Sequence, residues 1–149
     1  MTIEEFIEQR IAEDERIART AGEGNRAHWA YDGDEVYCPD TRREHRYDSG
    51  QVQIEYQNVT QDSEGILPSV EKEQGPHIAH HDPARVLRQC AFLRGALTLI
   101  KERHEYDAAL ELERGDYRRG AEMQRTEPDC RSLAAIWSDH PEYRTEWKP

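Results

Sequence analysis

The chain reads as an α+β protein: an N-terminal amphipathic helix, a small antiparallel β-sheet, and a long C-terminal helix followed by a short final helix. Three observations predict this. Apolar residues recur with a helical period near the start, at Ile3, Phe6, Ile7, Ile11, Ala12, Ile17 and Ala18. In the middle, Val52, Ile54 and Tyr56 alternate with Gln51, Gln53 and Glu55, the pattern of a strand with one face inward and one in water. Beyond Asp82-Pro83, the residues Val86, Cys90, Leu93, Leu97, Ile100 and His104 alternate steps of four and three, a heptad seam.

Each element has its own local signals. Thr2 followed by Glu5 is a capping-box pattern, in which each side chain satisfies the other's free backbone N–H. It opens a helix over residues 1–21 that Gly22 and Gly24 end. The isoleucine face of that helix has to be covered, by the chain's own sheet or by a second copy. Residues 27–59 read as the sheet. His28–Tyr31 is a strand, Asp32-Gly33-Asp34 a turn and Glu35–Cys38 the return; Arg43–Tyr47 and Val52–Val59 form a second hairpin across Asp48-Ser49-Gly50. Residues 60–76, rich in Ser, Asp, Glu and Gln and containing Pro68, are expected to be an exposed, mobile loop.

The helical half covers residues 77–149. A short turn at His77–His81 precedes Asp82, suited to cap the free N–H groups of the long helix, and Pro83, suited to its first position. Leu87, Phe92, Ala96 and Leu99 flank the seam and widen it into a core-facing or self-associating stripe. Gly95 weakens that helix by up to ~1 kcal/mol relative to Ala. Helical character continues through Ala108–Leu112 and weakens near Gly115 or Gly120. Pro128 opens a last helix, Asp129–Trp137, which Asp139-His140-Pro141 ends; Tyr143 and Trp147 give the tail aromatic handles for docking. At 149 residues the chain suits one domain.

Composition narrows the function classes. With 31 acidic and 20 basic residues the formal net charge is -11, which disfavours direct binding to nucleic acid or to an anionic membrane. A soluble acidic surface is one reading; an acidic mimic of nucleic acid is the sharper one, although the acids are interleaved with arginines. No run approaches the ~18 apolar residues that span a bilayer. The charged N-terminus lacks the apolar region of a signal peptide. Cys38, Cys90 and Cys130 are odd in number and widely spaced, which argues against a disulfide framework and for a reducing cytoplasm.

Three blocks carry a resemblance: Thr2-Ile3-Glu4-Glu5-Phe6-Ile7 with Ala12-Glu13-Asp14-Glu15; His77-Ile78-Ala79-His80-His81-Asp82-Pro83-Ala84-Arg85-Val86-Leu87; and Asp139-His140-Pro141-Glu142-Tyr143-Arg144 with Trp147-Lys148-Pro149. In this order they are similar to a family of small uncharacterised proteins of actinobacteria and their phages. Asn25-Arg26-Ala27-His28-Trp29 stands where that family usually has Gly-Pro-Trp, so the start of the sheet is expected to differ. The layout is also similar to a lambdoid phage accessory family. The resemblance implies phage or prophage ancestry and a cytoplasmic role, and supplies no known catalytic activity.

The candidate chemistry centres on the histidines. His77 and His81, four apart, face one way on a helix and could chelate a metal such as zinc. His80 points elsewhere. A zinc hydrolase also needs a third ligand and a general base; Cys38, His45 or Cys90 would have to close the site, and Asp82 is better explained as a cap. Cys90 and His104 lie about four helical turns apart, ~20 Å at ~1.5 Å per residue, too far for a nucleophile–base pair within one helix. Cys130 with His140 is a looser pair. The sequence has no GxGxxG, GxxxxGK[ST] or GxSxG, so no nucleotide cofactor and no catalytic residue is assigned. Arg42-Arg43 and Arg118-Arg119 are too short for a nucleic-acid footprint. The expected function is a non-enzymatic, phage-type interaction protein that binds a host or phage protein as a homo-oligomer. The alternatives are a metal-dependent enzyme or metal-binding protein at His77 and His81, and an acidic nucleic-acid mimic.

Overall fold

A computed structural model describes residues 1–60, 70–114 and 128–149. Residues 61–69, within the expected loop, and residues 115–127, with Gly115, Gly120 and Arg118-Arg119, lie outside the described residues. The architecture is α+β, as the sequence predicts. The chain divides into two compact units, Met1–Glu13 with Cys90–Pro149 and Asp14–Gln89. Helices α1 (Ile3–Ala21) and α3 (Pro83–Arg114) contribute to both.

In the first unit the capping box forms as read. The Thr2 N–H donates to Glu5 Oε2 at 2.7 Å and the Glu5 N–H donates to Thr2 Oγ1 at 3.1 Å. Ile3, Phe6, Ile7 and Ile11 are buried. The cover over Phe6 is neither the sheet nor a second copy but the C-terminal tail. Its ring centroid lies 5.0 Å from that of Trp147, 5.8 Å from His140 and 6.0 Å from Tyr143. Arg10, one turn further on, fastens the tail: its guanidinium lies against the His140 ring, 3.6 Å from Glu142 Oε2 and 3.3 Å from Glu13 Oε2. The tail begins with α4 (Pro128–Ala134) and a 3-10 turn at Ala135–Trp137, and ends in a second such turn at Thr145–Trp147. Ala12 and Ile17, placed on the buried stripe by periodicity, are exposed. Ala12 is rotated about 100° from Ile11, onto the far side of the helix.

Helix α3 starts where Asp82-Pro83 predicts: Asp82 Oδ1 accepts the Arg85 N–H at 2.7 Å. Along it Cys90 and Leu97 are buried and Leu93, Ile100 and His104 half-buried, so the seam faces inward. Of the flanking residues, Leu87 and Ala96 are half-buried, whereas Phe92 and Leu99 are exposed.

The second unit is built on an antiparallel sheet in the order β1 (Ala30–Tyr31), β2 (Val36–Arg46), β3 (Val52–Asn58). The first strand is shorter than expected. His28 instead sets Nδ1 2.7 Å from Asp40 Oδ2, and the Trp29 indole N–H donates to the Arg26 carbonyl at 2.9 Å. The turn is as read, with Gly33 at φ 117 and Asp32 Oδ1 accepting the N–H groups of Asp34 and Glu35, both at 3.0 Å. Those bonds hold the Asp32 carboxyl below its ordinary value.

Two strands expected on either side of Pro39 are one strand. Cys38 pairs with Gln57 and Arg43 with Glu55, so β2 bulges between these two pairs. Thr41 bridges the bulge: its hydroxyl donates to the Cys38 carbonyl at 2.7 Å and accepts the Gln57 N–H at 2.8 Å. Val52, Ile54 and Tyr56 alternate as predicted, but none of them turns inward; β3 is exposed throughout. Their cross-strand neighbours explain this: Val52 stands opposite Arg46 and Ile54 opposite Glu44, charges that belong in water.

The stretch 60–76 is not all loop. Val70 is buried and helix α2 begins at Gln74, with the Gln74 and Gly75 N–H groups bound to the Glu71 carbonyl at 2.9 and 3.0 Å. Pro76 is tolerated there because the first helical N–H groups have no helical partner in any case. Helix α2 (Gln74–His80) packs on β1 and β2. Gly75 allows the approach, since a Cβ there would lie 2.3 Å from Tyr31 Cε2. Among the described residues no helix is long and apolar enough to cross a membrane.

Candidate functional site

The histidine cluster occupies the joint between α2 and α3. His77 and His80 belong to α2, and His81 ends it with φ -101 and ψ 40. His77 and His81 do share a side: their ring centroids are 4.3 Å apart with the planes tilted 42°. His81 Nδ1 lies 2.9 Å from the His77 carbonyl oxygen, so the neutral ring carries its proton on Nδ1 and leaves Nε2 outward. His80, expected to point elsewhere, also comes against the pair: its ring centroid is 5.7 Å from that of His81, edge to face, and the Arg85 guanidinium engages its Nε2. All three rings are exposed.

The third ligand that a metal would need is not assembled: among the described residues no group of three or more His, Cys, Asp or Glu is placed to hold an ion. Of the residues considered for that role, His45 pairs with Glu55 Oε2 at 3.2 Å, while Cys38 and Cys90 are buried. Burial pushes the Cys38 thiol above its ordinary value, with Arg26 opposing the shift and Asp40 adding to it. A thiol so held stays protonated and is a poor nucleophile. Cys130 is buried in α4, and His140 is occupied in the Arg10 clasp, with its Nδ1 accepting the Glu142 N–H at 3.1 Å.

His81 has a second setting. With Asp14 it rims a cleft of about 160 Å³ whose walls include Ile17, Trp29, Pro83 and Val86. The exposure of Ile17 follows, since it lines an open wall. Trp29 offers the cleft a largely apolar surface, its indole N–H being spent on Arg26. The volume is near that of a cavity that takes a benzene ring (~150 Å³) and below the ~300 Å³ at which ligand pockets begin. The lining holds a carboxylate and an imidazole but no hydroxyl, thiol or amine, so the cleft suits one bulky apolar group. Asp14 and Trp29 escaped the sequence reading because the cleft joins three separate segments with no shared spacing.

A family model matches residues 1–149 and describes a family of unknown function, DUF6221. The chain belongs to that family. Among curated proteins and solved structures nothing matches. The family match spans both units and so includes the histidine joint, the cleft and the apolar surfaces.

Proposed function

We propose that this member of the DUF6221 family is a non-catalytic, phage-type interaction protein that binds a host or phage protein in the cytoplasm and associates with a second copy of itself. The observation that carries the reading is the apolar surface left open on α3, where Phe92, Leu99 and Tyr106 are 73%, 67% and 65% exposed. A row of large apolar side chains in water is a feature of binding surfaces. The exposed Val52, Ile54 and Tyr56 on β3 add a second such surface.

The test is light scattering on the full chain together with capture of partners from a host lysate. Self-association at micromolar concentration and a specific, saturable partner support the proposal. A strict monomer that captures nothing overturns it. The alternative of a metal-dependent enzyme or metal-binding protein at His77 and His81 predicts stoichiometric zinc, manganese or iron in untagged protein, which elemental analysis reads directly.

A further inference from the structure

The outward row on α3 has a geometry that names its occupant. Phe92, Leu99 and Tyr106 recur every seven residues, so on a straight helix they drift only about 20° per step and form one line. Gly95 lies on the same side, a turn from Phe92 and from Leu99. Among the described residues nothing comes within 4 Å of a Cβ built at Gly95. Its missing side chain is therefore not needed for packing against the described residues, although it costs the helix up to ~1 kcal/mol. It does leave room for another backbone to come close.

Charge supplies the direction. From Pro83 to Leu99 the helix carries Arg85, Arg88 and Arg94 and no acid. From Ile100 to Arg114 it carries five acids against three bases. Two parallel copies would place like charge beside like. Two antiparallel copies place the basic half of each beside the acidic half of the other, which offsets the repulsion between two chains of net charge -11.

Resting on the self-association proposed above, we infer that two copies pair through α3 in antiparallel fashion about a two-fold axis near Leu99. Phe92 of one copy faces Tyr106 of the second.

Two measurements on the full chain decide the matter. Light scattering at tens of micromolar should give twice the 17.4 kDa chain mass, and Leu99→Glu should return it to one, with circular dichroism confirming that the exposed substitution leaves the fold intact. A nitroxide on Ala91→Cys should report a separation of at least ~24 Å, sixteen residues of helix, whereas a parallel pair would give about 10 Å. The native thiols are buried and stay unlabelled. A monomeric wild type overturns the self-association reading and this one together. A dimer that survives Leu99→Glu moves the contact off α3 and leaves self-association standing. A short label distance overturns the antiparallel register alone.

Discussion

On α1, Phe6 is fully buried beneath Trp147, Tyr143 and His140; on α3, Phe92 stands 73% exposed. Both belong to apolar rows with helical spacing, and both helices have well-made starts, one by capping box and one by Asp82-Pro83. The difference lies in what arrives to cover them. The α1 row receives the far end of its own chain, pinned by the contacts of Arg10 with His140 and Glu142. The α3 seam is covered, but the row beside it receives nothing from the described residues. Periodicity therefore reports that a face is apolar and says nothing about which partner covers it.

The largest expected effect tests the covered row. Phe6→Ala removes a ring that three aromatic neighbours surround, and should cost about 3–5 kcal/mol. Urea unfolding followed by tryptophan fluorescence reads it, since Trp147 is in direct contact. A loss below about 1 kcal/mol would mean that the tail does not cover α1, and the contrast between the two rows would collapse.

This contrast also explains what the sequence made legible. The capping box, the Asp82 cap and the Asp32-Gly33 turn all join side chain to backbone within three residues, so local spacing reveals them. The proximity of His77 and His81 is legible for the same reason. The continuity of β2 is not, because Pro39 reads as a break and the Thr41 hydroxyl that bridges it leaves no pattern. The alternation of Val52, Ile54 and Tyr56 is visible, yet their exposure depends on Arg46 and Glu44 across the hairpin. The cleft at Asp14, Trp29 and His81 and the Arg10 clasp each join distant segments, and only the folded chain brings them together.

A middle-sized effect sharpens the comparison at the start of α1. Thr2→Ala removes the acceptor for the Glu5 N–H and should cost about 1 kcal/mol. The loss should appear as a lowered urea midpoint with an unchanged slope, because the same surface is exposed on unfolding. A larger loss with a reduced slope would show that the first turn also holds the tail in place. In that case the capping box and the aromatic cover act as one unit and not as separate supports.

The smallest expected effect tests the uncovered row. Phe92→Ser replaces a ring already in water, so the stability of the monomer should change by no more than about 0.5 kcal/mol. The measurement must be made at sub-micromolar concentration, where any contribution of self-association to stability has been diluted out. Repeating the melt at high concentration separates the two roles of the residue. If the wild type gains stability with concentration and Phe92→Ser does not, the ring acts only between copies. If Phe92→Ser is destabilised at every concentration, Phe92 packs within its own chain, and the difference between the α1 and α3 rows is one of degree.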